Sequence, residues 1–173
     1  CTRTMMGSVS VNTTALPSAY PVVGGGNYCT GGTGVHVGVS SSQAGVSYQL
    51  YNGITPVGSP MTASGPAIDF GLQTATGSYT VIGTNTSGCS ATMSGSATVG
   101  ALPLPTLNSV MGGGSYCSGG TGVSVGLNGS TVGVNYQLYN GFSTVGSPIA
   151  GTGGILDFGM ITTPATYTVI ATN

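Results

Sequence analysis

The sequence predicts an all-β chain of tandem sandwich repeats, and three observations carry that expectation. Short segments in which apolar and polar residues alternate are separated by Gly, Ser and Asn turns, the pattern of an all-β sandwich. The same set of segments occurs twice, at an offset of 88 residues that takes Cys29 onto Cys117. No stretch of ten residues carries helical periodicity.

Seven strands fit the first repeat, over residues 20–28, 35–41, 45–52, 55–61, 66–72, 78–85 and 89–99; in sandwich lettering they are A, B, C, C′, E, F and G. Strand A runs into the Gly24–Gly26 triplet, which suits a kink or a close backbone approach. In strand B, Val35, Val37 and Val39 alternate with His36, Gly38 and Ser40, so one face is buried. Val46, Tyr48 and Leu50 do the same in strand C, after a Ser-Gln-Ala-Gly turn. Asn52-Gly53 and Asn140-Gly141 are strong hairpin dipeptides. Ile68 and Phe70 bracket Asp69 in strand E and turn the acid outward. Tyr79, Val81 and Gly83 alternate with Thr80, Ile82 and Thr84 in strand F.

The second copy needs no gap. Gly24–Val39 recurs as Gly112–Leu127, YQLYNG at Tyr48 recurs at Tyr136, VGSP at Val57 recurs at Val145, DFG at Asp69 recurs at Asp157, and YTVI at Tyr79 recurs at Tyr167. The offset also lays Cys1-Thr2-Arg3-Thr4-Met5 on Cys89-Ser90-Ala91-Thr92-Met93. Residues 1–17 therefore read as the last strand of a preceding repeat plus a linker, 18–103 as repeat 1, and 104–173 as repeat 2 without its last strand. Pro-containing linkers at Ala15-Leu16-Pro17 and Leu102-Pro103-Leu104-Pro105 mark the boundaries. A repeat of this length suits self-contained domains arrayed like beads rather than a solenoid.

Composition narrows the function classes. Charged residues make up 2% of the chain, with one Lys or Arg, two Asp or Glu, one His and a formal net charge of −1. An ordinary soluble domain is about a quarter charged. Disorder pairs low hydrophobicity with high net charge, and this chain is 39% hydrophobic. Nucleic-acid binding needs clustered Lys or Arg, and Arg3 stands alone. No apolar run approaches the roughly 20 residues of a membrane-spanning helix. Near-zero net charge favours association, and the single Arg leaves trypsin-like proteases one site.

Two segments sharpen the sandwich type. Gly77-Ser78-Tyr79-Thr80-Val81 and Ala165-Thr166-Tyr167-Thr168-Val169 match the strand-F stretch that holds the tyrosine corner of immunoglobulin-like domains. Val81 and Val169 stand where antibody domains carry Cys, and Tyr48 and Tyr136 stand in for the strand-C Trp. The expected fold is a series of tandem immunoglobulin-like β-sandwich repeats. The ordered motifs YCTGGTGVHVGV, GVSYQLYNG, VGSP, DFG, YTVIGTN and GCSATMSGSATV resemble the tandem Ig-like repeats of giant secreted surface proteins of Bacteroidota. Those include adhesin-like proteins exported by the type IX system, some tied to gliding motility. The resemblance implies a secreted, extracellular or cell-surface location and a structural or adhesive role, with no catalytic residues to carry over.

Cys1, Cys29, Cys89 and Cys117 lack catalytic partners and read as disulfide-forming residues in an oxidising compartment. Zinc is the competing reading, and their spacing never approaches C-x-x-C. Pairing is open between Cys29 with Cys89 inside one repeat and a Cys29-type residue with the Cys89-type residue of the following repeat. The second is favoured slightly, because strand direction puts Cys29 and Cys89 at opposite ends of the sandwich.

His36 and the two Asp residues read as surface polar groups. Asp69 and Asp157 sit in DFG, but without Lys that triplet carries no kinase chemistry. In separate domains they form no glycosidase pair. Asn12-Thr13-Thr14, Asn85-Thr86-Ser87 and Asn128-Gly129-Ser130 match the glycosylation triplet, read here as chance. Tyr51 and Tyr139 face outward and suit stacking on sugars or contacts between repeats. The expectation is a non-enzymatic structural component of an extracellular filament or stalk, with neighbouring copies or repeats of itself as partner and no cofactor, nucleic acid or membrane insertion. The alternative is a carbohydrate- or surface-binding module.

Overall fold

The computed structural model describes residues 1–173. Two compact units divide the chain, Cys1–Leu102 and Pro103–Asn173. Fifteen strands form, and there is no helix.

Unit 1 contains β1 (Val22–Gly24), β2 (Gly26–Cys29), β3 (Val35–Val39), β4 (Ser47–Asn52), β5 (Thr55–Thr62), β6 (Ile68–Gln73), β7 (Gly77–Thr84), β8 (Ser90–Thr92) and β9 (Ala97–Leu102). One sheet has the order β1-β3-β6. The other runs β2-β9-β7-β4-β5, with β8 also on β7. Side chains from both sheets meet in one core: Val37 and Val39 from β3, Tyr48 and Leu50 from β4, Tyr79 and Val81 from β7, and Val99 from β9 are at most 1% exposed. That arrangement is a β-sandwich. Strand alternation explains it, since every second residue of each strand points inward.

The single strand expected over residues 20–28 is two strands in different sheets. β1 pairs antiparallel with β3, and β2 pairs in parallel with β9. Between them Gly24, Gly25 and Gly26 take φ values of 90°, 79° and 123°, a region that side chains with a Cβ rarely adopt. A Cβ on Gly24 would overlap the His36 carbonyl oxygen, and one on Gly25 would press on Thr98. The glycines therefore serve both the kink and the close approach. The strand expected over residues 89–99 likewise breaks into β8 and β9, and pairing continues to Leu102.

Unit 2 contains β10 (Val110–Gly112), β11 (Val123–Leu127), β12 (Asn135–Asn140), β13 (Ser143–Ala150), β14 (Leu156–Ile161) and β15 (Tyr167–Thr172). Its sheets are β10-β11-β14 and β13-β12-β15. One edge of β15 pairs with β12; the other edge has no strand beside it. Cys1–Leu16, read from sequence as strand plus linker, form no strand, and every residue there is exposed.

Small devices recur in both units. The Tyr79 hydroxyl donates to the Ala75 carbonyl at 2.7 Å, and the Tyr167 hydroxyl to the Thr163 carbonyl at 2.8 Å. The Tyr48 and Tyr136 hydroxyls accept from the Gln43 and Thr131 amides, each at 2.9 Å, which ties the turn before strand C to the core. A register shift interrupts each β4–β5 and β12–β13 hairpin. There Gln49 Nε2 donates to the carbonyls of Leu50 and Val57, both at 2.9 Å, and Gln137 Nε2 donates to those of Leu138 at 2.9 Å and Val145 at 3.0 Å. The clamp gives the YQLYNG and VGSP motifs a shared structural reason, because a bulge leaves carbonyls without ladder partners.

Candidate functional site

The most distinctive place in the molecule is the strand seat beside β15. In unit 1 the equivalent seat is filled by β8 and β9. Gly77 pairs with Val99, Ser78 with Thr98 and Tyr79 with Ala97, while Ile82 pairs with Thr92 and Thr84 with Ser90. Met93, Ala97 and Val99 drop from that strand into the core at 2%, 3% and 1% exposure. Met93 also donates its amide to the Val81 carbonyl at 2.8 Å, and its Sδ accepts from the Tyr20 amide at 3.4 Å.

In unit 2 the same region is open. A cavity of about 370 Å³ lies among Gly113, Tyr116, Val125, Ala165 and Tyr167. A second, of about 270 Å³, lies among Leu107, Val110, Leu127, Val169 and Ala171. Tyr167, Val169 and Ala171 all keep part of their surface in solvent. Within residues 1–173, then, no strand lies where β8 and β9 lie in unit 1, and Tyr167, Val169 and Ala171 are left partly uncovered.

The four predicted cysteines are not brought together. Cys1, Cys29 and Cys117 are exposed, Cys89 is half-buried, and all four are free thiols. Cys29 ends β2 opposite Leu102, while Cys89 precedes β8. The register of β7 separates the two by more than its own stretch from Thr84 to Gly77, roughly 23 Å at about 3.3 Å per residue. A disulfide needs Cα atoms within about 7 Å, so no bond joins these two in unit 1.

The polar residues are spent on local structure. Asp69 Oδ1 accepts from the Gly71 amide at 2.8 Å, and Asp157 Oδ1 from the Gly159 amide at 2.9 Å. His36 Nδ1 lies 2.7 Å from Asp69 Oδ2 with both side chains largely in water. At the corresponding place Ser124 donates to Asp157 at 2.8 Å. The Gly159 amide, with help from Ser124, holds the Asp157 carboxyl below its ordinary pKa. No three His, Cys, Asp or Glu side chains converge. Tyr51 and Tyr139 are half-buried rather than fully outward.

Sequence reasoning missed two asparagines. Asn85 Nδ2 donates to the Ala15 carbonyl at 2.9 Å, and Asn173 Nδ2 donates to the Pro103 carbonyl at 2.5 Å. Asn85 Oδ1 also accepts from the amides of Ser87 and Cys89 at 3.0 and 2.9 Å. Each asparagine fixes where the linker meets its unit, and in Asn85-Thr86-Ser87 the amide nitrogen that a glycan would occupy is already used. The repeated position of Asn after the YTVI strand was the available signal. No helix is long and apolar enough to cross a membrane. The chain matches no family model and no curated protein.

Proposed function

We propose that the chain is a structural component of an extracellular or cell-surface filament, built from end-to-end immunoglobulin-like domains and supporting adhesion or matrix formation. The observation that carries the reading is the recurrence of one sandwich plan in two units along a single chain, with the proline-bearing stretch Leu102-Pro103-Leu104-Pro105 at the boundary. The immunoglobulin-like assignment draws support from the three-plus-five strand order, the strand that changes sheet at a glycine kink, and the Tyr79 and Tyr167 hydroxyl bonds. The polar side chains being spent on turns and bulges, instead of gathered into one cleft, agrees with a non-enzymatic role. The tandem repeats of giant Bacteroidota surface proteins remain the family that the motifs resemble.

In such an array a Cys29-type thiol bonds the Cys89-type thiol of the following repeat. Each bond releases two protons and passes two electrons to an external disulfide or dioxygen, the oxidants of an extracellular compartment. Electron microscopy of unreduced material tests the filament. Filaments with an axial repeat on the order of two sandwich lengths, each roughly 25–35 Å from strand length, support it. Dispersed particles of one or two domains overturn it and favour the second reading, a carbohydrate-binding module that uses the half-buried Tyr51 and Tyr139.

A further inference from the structure

We propose that the outer edge of β13 is a self-association site, where a second copy of this chain lays its own β13 antiparallel to the first. β13 is an edge strand by topology. The order β13-β12-β15 leaves it outermost, and unit 1, with β8 and β9 in place, leaves β5 outermost in the same way. Both strands are eight residues long and neither carries a charged side chain, so the usual charged guards against edge pairing are absent. One residue separates the two edges. Pro56 of β5 stands where β13 has Thr144.

The hairpin register decides which way those two residues present their backbone. Asn52 faces Thr55, and Asn140 faces Ser143, across a two-residue turn. The pair that closes such a turn exchanges its hydrogen bonds, and pairs then alternate along the ladder. At Tyr51–Pro56 and Tyr139–Thr144 the backbone groups of β5 and β13 therefore turn away from the hairpin, toward solvent. Pro56 has no N–H to offer there and leaves its edge blunt. Thr144 restores the donor beside its own carbonyl, in an exposed position. Donor and acceptor on one residue complement themselves: a two-fold axis at Thr144 lets each copy donate to the other's carbonyl. The same axis sets Ser143 against Val145 of the partner subunit. It also brings Phe142, fully exposed on the free chain, beside Gly146 of the partner subunit, where a Cβ would meet nothing within 4 Å. An aromatic ring laid over an edge glycine stabilises a strand pair. With a formal net charge of −1 per chain, two copies meet with little repulsion. The register shift after Val145 keeps the ladder short, and an isologous contact made once per chain closes at a dimer. The inference goes beyond the end-to-end filament and does not rest on it, because this contact joins chains side by side.

The test is sedimentation of the purified chain, residues 1–173, at rising concentration, beside its Thr144→Pro and Pro56→Thr variants. The expected result for the chain itself is a monomer–dimer equilibrium. Thr144→Pro should weaken it by about ten-fold, the loss of about two main-chain hydrogen bonds. That variant puts into unit 2 the residue unit 1 already holds at the same place, so it folds, and its thermal transition checks the point. Pro56→Thr should open a second edge and carry association past the dimer. Amide exchange reads the joint directly: the Thr144 amide should gain protection with concentration, while the Val145 amide, turned toward β12, is protected throughout. A chain that stays monomeric at every concentration overturns the joint. Association that Thr144→Pro leaves unchanged overturns it too, as does a Pro56→Thr chain that stops at the dimer. None of these results touches the end-to-end filament, which electron microscopy tests separately.

Discussion

The two units are close to a controlled experiment: they share their motifs, and only one has strands on both sides of the Tyr79-type strand. Unit 1 buries twelve apolar residues and unit 2 buries six. The difference has a full account. Met93, Ala97 and Val99 belong to the strand region that unit 2 lacks, Tyr79 and Val81 are what it covers, and Ala63 has Gly151 at its equivalent position in the other copy. The remaining six, Val37, Val39, Val46, Tyr48, Leu50 and Ile68, keep buried counterparts in Val125, Leu127, Val134, Tyr136, Leu138 and Leu156. A sandwich of this kind therefore has a part that folds from its own B, C and E strands and a part that depends on G. The lesson concerns folding: the B, C and E strands bury their side chains without G, and the F strand does not.

The largest effect that sharpens this comparison is at the covered tyrosine. Tyr79→Ala should cost about 3–5 kcal/mol, the range for truncating a buried aromatic, and lower the melting transition of unit 1. Tyr167→Ala should cost about half as much, because Tyr167 is only half-buried before any strand joins it. Leu50→Ala and Leu138→Ala serve as the matched pair, both 0% exposed, and should cost about 2–5 kcal/mol alike. Calorimetry of the four variants checks the ordering.

The glycine at the kink comes next. Gly25→Ala and Gly113→Ala both strain a positive φ, at about 1–2 kcal/mol each. Gly25→Ala also drives a methyl into β9 and should cost about 1–3 kcal/mol more, the range for overpacking. Equal losses in denaturant titrations would mean that β9 yields freely. Removing the linker tether is milder still. Asn85→Ala should destabilise unit 1 by about 1 kcal/mol through its lost hydrogen bonds, and proteolysis should then cut near Ala15 faster.

The smallest effects are in pH. Burial raises the Tyr79 pKa, so the folded state holds that proton more tightly than the unfolded chain. The stabilisation is complete below the unfolded value of about 10 and is lost as pH rises through the raised folded value. Asp157 behaves oppositely. Its lowered pKa gives stability above the unfolded value of about 3.9, lost as pH falls through the folded one. Full exposure keeps that contribution small, so it is best read by carboxyl NMR titration.

Much of the fold was legible because it is local. Alternation located Val37, Val39, Tyr48, Leu50, Tyr79 and Val81 in the core, and the glycine triplet announced its kink. The second sheet change was not legible: parallel pairing of β2 with β9 joins residues more than seventy positions apart, and no periodicity encodes it. Gln49 and Asn85 were missed because their partners are backbone carbonyls, which every residue has. The seat itself was half legible. Laying Asn173 on Asn85 showed that repeat 2 stops before its last strand, while which side chains that leaves uncovered needed the packing of β10, β11 and β15.

The most direct measurement is amide hydrogen exchange of β7 and β15 in the same chain of residues 1–173 at high dilution. The account predicts that β15 amides on the edge without a strand exchange near the free-peptide rate, while their β7 counterparts, paired with β8 and β9, stay protected. Equal protection of β7 and β15 would contradict it, since an edge without a strand has nothing to protect it.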